Sequence, residues 1–462
     1  MPSNRNALFS NIPMTSMRLT FFSAVIAVGM LTGGPAAAAD LLDIYRQALA
    51  SDPVYSSARS GWTAAQEKLP QGRAGLLPQA TASASTQFND RDLRFRSPGT
   101  TGNSGSQSQY NSNSASISVS QPLFRKQNLV AYEQGKTQLV LADAQLASAG
   151  QDLILRSAQA YFDVLLARDN VAFVQAQKTA IGQQLEQAKR NFEVGNATIT
   201  DTHEAQARFD LVTAQEIAAR NDLEIKNRAL EQLIGRAAPT LAVLGKRFDP
   251  LPPQPNAIEQ WVEQARTSGL LVRIAQENLT LLNQEVDRNR GAHYPTVDAF
   301  ASLTESASGS GIQGGSGTDT TTKIIGLQLS LPLYQGGSVN SRVREALANE
   351  DKARQDLENA RRSAELAARQ GYLGVTSGIA QVRALEAALV SSQSSLDSTR
   401  LGQEVGVRTQ VDVLNAQQQL FSARRDLAQA RYNYILSSLR LTAAAGKLTE
   451  ADLQRVTVWL DK

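Results

Sequence analysis

The sequence predicts an α+β membrane protein: four β-strands per chain complete a twelve-stranded trimeric β-barrel, and a long α-helical coiled-coil barrel continues it. Three observations lead there. The chain is written twice. Each copy carries a pair of alternating segments about ten residues long, enough to cross a bilayer as tilted strands. Each copy also carries a proline-free helical run far beyond globular length.

The duplication is clearest in FEVGNATITD (192–201) and QEVGVRTQVD (403–412). Each has Val-Gly and then, six residues after the Gly, an Asp: Gly195 to Asp201, and Gly406 to Asp412. Tyr161 recurs as Tyr372, Ala205-Gln206 as Ala416-Gln417, SQPLF (120–124) as SLPLY (330–334), and Pro78 as Pro295. The repeat is about 210 residues long, and its spacing drifts only where loops gain or lose residues.

Residues 1–39 hold no acid and two arginines, Arg5 and Arg18, followed by an apolar run from Leu19 to Leu31, Pro35 and alanines up to Ala39. This is the layout of a secretory signal peptide, cleaved after Ala39, and the run is short for a membrane span. Met14 and Met17 are alternative starts to Met1. The leader removes two of the 46 basic residues and none of the 43 acidic ones. About one net positive charge then remains, which is no nucleic-acid footprint. With no cysteine, disulfides, thiolate catalysis and zinc–thiolate sites are excluded. No segment after residue 40 reads as a membrane helix, so crossing a bilayer falls to the strands.

The first repeat, 40–250, opens with a helical pattern from Leu41 to about Gly72, placing Leu42, Tyr45, Ala48 and Leu49 on one face. Pro78 then starts ATASASTQF, and beyond a Gly/Ser/Asn/Thr loop SASISVSQPLF alternates again. That predicts a β-hairpin over about 79–123 with one apolar face. The second repeat, 251–462, restates it: a helix, then VDAFASLTES, a Gly/Ser loop and KIIGLQLSLPLY, a hairpin over about 295–335. The loop contains G-x-G-x-x-G (Gly309, Gly311, Gly314), but a strand follows it where a dinucleotide site needs a helix, so it reads as a flexible loop.

From Arg125 to Phe192 the chain runs roughly 70 residues without proline, about 100 Å of helix. Val339 to Gly402 is its counterpart. After each tip the chain returns, giving helical hairpins over about 125–235 and 338–446. Gly195 and Gly406 suit a tight reversal, and Thr and Asp beyond them cap the returning helix. In the second copy Leu420, Leu427, Tyr434 and Leu441 form a heptad row beside Ala416, Ala423 and Ala430, large against small. The first copy keeps Phe209, Leu223 and Leu230 but inserts Glu216 and Lys226, which predicts a looser seam. A proline-rich connector (238–255) joins the repeats, and 447–462 is its short counterpart.

Four strands cannot close a barrel, and open edges in lipid leave backbone groups unpaired. Three chains supplying twelve strands is the most economical closed solution. The same trimer sets twelve helical strands side by side, too wide a ring to fill with side chains, so it encloses a tube.

The leader, the strand ends SQPLF and SLPLYQGG, the duplicated tips and ARYNYILSSLRLTAAAGKLTEADL (430–453) closely resemble the TolC-type outer membrane factor family over residues 40–455. The resemblance implies an outer-membrane channel-tunnel of a Gram-negative bacterium, with its helical tunnel in the periplasm. It serves as exit duct for tripartite efflux or type I protein secretion. Its implied partners are two further copies of itself, a periplasmic adaptor, an inner-membrane ABC or RND-type transporter and outer-membrane lipid; it implies no cofactor and no nucleic acid. The duct rests closed at its periplasmic tip and opens by an iris-like movement of the coiled coils. The resemblance places a gate latch at Arg408, Thr200 and Asp201. Gln403 stands where the family has a Tyr, which alters a second tie. Asp412 keeps one ring of entrance charge, Asn415 replaces the acid of another, and three Asp412 carboxylates raise one another's pKa. Val194-Gly195 and Val405-Gly406 fall where adaptor tips dock.

No enzyme is expected: His203 and His293 lie far apart, without H-E-x-x-H spacing or a nucleophile at triad-like positions. Two other readings stay open, an autonomous porin-like channel and a trimeric coiled-coil structural protein. Against the first stand the long helices, which a porin does not need. Against the second stands the there-and-back hairpin in each half.

Overall fold

The computed structural model describes residues 38–94, 105–195, 198–245, 247–309 and 316–461. The leader up to residue 37 and the loop glycines Gly311 and Gly314 lie outside the described residues. The expected single helix from Leu41 is three: α1 (Leu41–Ser51), α2 (Pro53–Gln66) and α3 (Lys68–Ala74). The reason is Asp52-Pro53. A residue before proline avoids helical angles, and here Asp52 leaves the helix at ψ 120° and caps α2 through the amide of Tyr55, with Pro53 in the first turn. Strands β1 (Gln79–Arg94) and β2 (Gly105–Phe124) follow, then the long helix α4 (Lys126–Glu193), α5 (Ile199–Ile234) and the short β3 (Val243–Leu244). The second half runs α6 (Ile258–Ser268), α7 (Leu270–Arg290), β4 (Thr296–Ser308), β5 (Thr318–Ser330), α8 (Ser338–Glu404), α9 (Gln410–Ala444), α10 (Glu450–Thr457) and β6 (Leu460–Asp461).

The four long strands form one antiparallel sheet in the order β1-β2-β4-β5, so the two hairpins pair through β2 and β4 while β1 and β5 are its edges. Cross-strand register sorts the side chains by face. Ala80, Val119, Ala301 and Ile325 stand in one row, and Ala82, Ile117 and Leu303 in the next, which Lys323 completes at the β5 edge. Ile325 is 89% exposed on this apolar face. The other face is hydroxyl-rich, with Thr81 bonded to Ser118 and Ser83 to Ser116, both at 2.7 Å. One repeat correspondence breaks here. SQPLF stays in β2 to Phe124, whereas SLPLY leaves the sheet after Ser330. β2 is held on both sides, but β5 is an edge with one neighbour, and Pro332 lacks the N–H to extend it.

Helices α2 and α3 pack on α4; α6 and α7 pack on α8, with α7 reaching α4 as well. The α8–α9 seam follows the heptad rows: Leu420, Leu427, Tyr434, Leu441, Ala416, Ala423 and Ala430 are all buried. At Gly371 the helices come so close that a Cβ would lie 3.0 Å from the Cα of Leu441. One 18-residue window of α8 reaches a mean hydropathy of 1.2, an apolar stretch that the sequence reading passed over; α8 pairs with α9 along this hairpin. In the α4–α5 seam the polar insertions are not loose. Glu216 is buried and accepts from Lys178 at 2.9 Å, from Arg220 and from Gln175, while Lys226 reaches Asp163 at 3.2 Å. The Lys178 and Arg220 cations hold the Glu216 carboxyl down at about 2.

Above the tips, α1, α4, α5, α9 and α10 converge on one apolar belt containing Ile44, Tyr161, Phe162, Leu230, Ile435 and Leu453. Here Phe162 stacks on Tyr432 with centroids 5.4 Å apart, and the Tyr161 hydroxyl donates to the carbonyl of Ala242 at 2.7 Å. The chain end closes onto it, β6 pairing with β3. Ala39 belongs to the same fabric: its N–H donates to Thr240 at 2.8 Å and its carbonyl accepts from Ala242 at 3.0 Å.

Candidate functional site

The two hairpin tips are built alike. Gly195 and Gly406 take φ of +76° and +80°, left-handed angles that let each long helix end and turn at once. Three residues beyond each Gly a threonine starts the returning helix. Thr198 and Thr409 are the N-caps, and Asp201 and Asp412 are the third helical residues whose carboxylates bond back to the capping amide and hydroxyl. Each Thr-x-x-Asp is thus a capping box, in which the acid satisfies amides that the helix leaves unpaired. The sequence reading gave Thr and Asp together as the cap; the structure divides the work, with Thr as the N-cap and Asp bonding back from the third helical position.

That geometry bears on the candidate residues one by one. The amide and hydroxyl of Thr409 lower the pKa of Asp412, and the positive charge of Arg408 lowers it further. Within one chain this opposes the rise expected from three clustered carboxylates. Thr200 is exposed and Asp201 half-buried on the first turn of α5. Arg408 is exposed and folds its stem over α8, where a Cβ on Gly402 would sit 2.7 Å from the Arg408 Cγ. Among the described residues its guanidinium has no hydrogen bond or ion pair to Thr200 or Asp201 of the same chain. Val194 and Val405 are 68% and 66% exposed, so both Val-Gly steps present apolar side chain beside bare backbone.

Further links tie the hairpins together, through Gln184, Arg208, Gln410 and Gln418, which sequence reasoning missed, and through Gln403 and Asn415, which it named for other reasons. Gln403 bonds to Gln410, whose amide reaches the carbonyl of Gln184 on α4 at 3.5 Å. Arg208 on α5 spans to the other hairpin, donating to the side-chain oxygens of Asn415 at 3.2 Å and Gln418 at 2.9 Å, with Glu204 at 3.1 Å on its own helix. Beneath these polar links lies a small apolar contact of Ile181, Val212 and Leu414. The Glu204–Arg208 and Asn415–Gln418 spacings do place each pair on one helix face, but nothing local indicates that the two faces meet.

Known proteins resemble this chain throughout. The pattern of the family described as "Outer membrane efflux protein" matches residues 44–236 and 261–447, one stretch in each repeat. The outer membrane protein TolC of Vibrio cholerae is 36% identical over 425 residues, covering 92% of this chain and 94% of that protein. The alkaline protease secretion protein AprF of Pseudomonas aeruginosa is 34% identical over 418 residues, covering 90% and 86%. Among solved structures, the Campylobacter jejuni CmeC outer membrane channel superposes with a TM-score of 0.76 at 19% identity, over 91% of this chain and 90% of that one. With the sheet, the long helical hairpins and both tips accounted for by one fold, this outer-membrane chain belongs to the outer membrane efflux protein family.

Proposed function

We propose that the protein is the outer-membrane exit duct of an efflux pump or a type I secretion system, assembled as a trimer and closed at rest by its helical tips. The single observation that carries this is the sheet. It has one apolar face, one hydroxyl-rich face and two unpaired edges, β1 and β5, of 16 and 13 residues. In hydrocarbon each unpaired edge group costs several kcal/mol, so β1 of one chain pairs with β5 of the next until the ring closes. The apolar face then meets lipid and the hydroxyl face lines water.

The tips follow from the same assembly. Among the described residues Arg408 makes no bond to Thr200 or Asp201 of its own chain and, in the trimer, it latches onto Thr200 and Asp201 of a neighbour. A charge-assisted hydrogen bond of this kind contributes about 1.5–3 kcal/mol, made three times around the ring. Gln403, bonded within its own chain, leaves that latch without the second tie of the family. The Asp412 carboxylates, kept ionised by their capping boxes, give the entrance a preference for cations, weaker than two acid rings would. The exposed Val-Gly steps are the docking points of a periplasmic adaptor, which with an inner-membrane ABC or RND-type transporter opens the tips. The duct conducts cargo and performs no chemistry on it.

Planar-bilayer conductance tests the reading. The protein is expected to conduct weakly at rest, and Arg408→Ser is expected to conduct several-fold more. Strong resting conductance, unchanged by the substitution, would indicate an autonomous porin instead.

A further inference from the structure

We infer that Arg208 is a positioning residue of the resting entrance, clasping the two hairpins of each chain to one another. The inference rests on the gated-duct reading above but concerns a link within one chain rather than between chains. Away from the tips, α5 and α9 are separated by a groove of about 540 Å³ lined by α4, α5 and α9. Of the α5 residues on its walls, Arg208 is the one nearest the tip, and Leu414 holds that place on α9. There the guanidinium closes the gap with two bonds to the second hairpin, at Asn415 and Gln418, while Glu204 holds its Nε from behind. A planar fork with its donors fixed in three directions suits this task, and a flexible lysine would not reproduce it.

The chemistry of the acceptors explains what Asn415 does. An acid at 415 would face Arg208 as a full ion pair. The amide offers a neutral acceptor, so the clasp holds through hydrogen bonds that separating helices can exchange for water. Asn415 is therefore more than a missing charge in an entrance ring, since it is the far half of a link that the first hairpin reaches across to make. Opening the entrance requires α5 and α9 to part at this point, which breaks the clasp in each chain.

The chain has no cysteine of its own, so introduced pairs can be bridged selectively. Arg208→Cys with Gln418→Cys removes the clasp, and a short bismaleimide, spanning the distance that the arginine side chain covers, restores the link without restoring the charge. Single-channel conductance of the intact trimer is the readout. The unbridged pair and Arg208→Gln are expected to conduct several-fold more than the unaltered protein, and the bridged pair to return to the resting level. The doubly altered Asn415→Ala/Gln418→Ala chain is expected to match Arg208→Gln, and adding Arg208→Gln to it should raise conductance no further, because one link is removed from either side. If Arg208→Gln and Asn415→Ala/Gln418→Ala keep the resting level while Arg408→Ser opens the duct, the clasp is overturned and the gated duct stands. If bridged and unbridged pairs conduct alike, charge rather than linkage is responsible and the clasp is again overturned. If the unaltered protein already conducts strongly and Arg408→Ser adds nothing, the gated duct fails and the clasp with it.

Discussion

Helices α4 and α9 meet twice, and the two meetings are unlike. In the belt they interlock through Phe162 stacked on Tyr432, with Leu165, Ile435 and Leu439 buried around them, and the Tyr432 hydroxyl donates to Asp169 at 2.7 Å. Toward the tips the same two helices share a small apolar contact and one long glutamine link, from Gln410 to the carbonyl of Gln184. Gln417 is 1% exposed, yet its side-chain oxygen has no hydrogen-bond partner, and the buried oxygen of Gln184 has none either. A buried acceptor left unpaired costs about 1–3 kcal/mol. The belt too buries an unpaired hydroxyl, that of Ser157. Its apolar and aromatic contact is far larger, however, so it is built to stay together, whereas the tip interface sets its unpaired oxygens against a small apolar contact and has something to gain when water enters. A tube that opens at one end needs this gradient along a single pair of helices.

Damage to the belt should cost stability without opening the channel. Phe162→Ala empties a fully packed site and is expected to lose about 3–5 kcal/mol, read as a lowered unfolding midpoint with resting conductance unchanged. Gly371→Val forces two methyl groups into the α8–α9 contact beside Leu441, and about 1–3 kcal/mol is expected to be lost in the same measurement. In the first hairpin the difference can be sharpened with acid. Glu216 has its pKa depressed to about 2, below its ordinary value, so its stabilisation is complete above that ordinary value and is lost as pH falls through about 2. Glu216→Gln is expected to lower stability near neutrality and to flatten the acid limb of the stability–pH curve. The smallest effect concerns the first residue. Both main-chain groups of Ala39 are bonded into the belt, and cleavage after Ala39 removes them, so N-terminal sequencing of the mature protein is expected to begin at Asp40, whereas a start at Ala39 would place the boundary one residue earlier and keep those bonds.

What the sequence made legible was whatever repeats at short range. The proline-free run before Gly195 and the heptads through Leu420 and Leu441 are local signals, and they correspond to α4, α8 and α9. The alternation in ATASASTQF and KIIGLQLSLPLY likewise corresponds to β1 and β5, although the last four residues leave the sheet because an edge strand has one partner and Pro332 cannot pair. The tips were legible as turns with Thr and Asp capping the helices beyond them; which of the two is the N-cap, Thr198 and Thr409 rather than Asp201 and Asp412, depends on a backbone angle. Least legible were Arg208 and Gln418. They lie on helices separated by some 200 residues of chain, and each alone reads as an ordinary solvated position. Glu216 and Lys226 misled in the other direction, since their partners Lys178 and Asp163 sit on α4 in no pattern that repeats.

The most direct test of a fixed belt above a movable tip is hydrogen exchange of the intact trimer, compared with Arg408→Ser. Slow exchange in α9 over 430–441 in both proteins is expected, with 410–418 and the facing part of α4 near Gln184 exchanging faster in the variant. Uniform protection along α9, or acceleration that reaches the belt as strongly as the tip, would contradict the account.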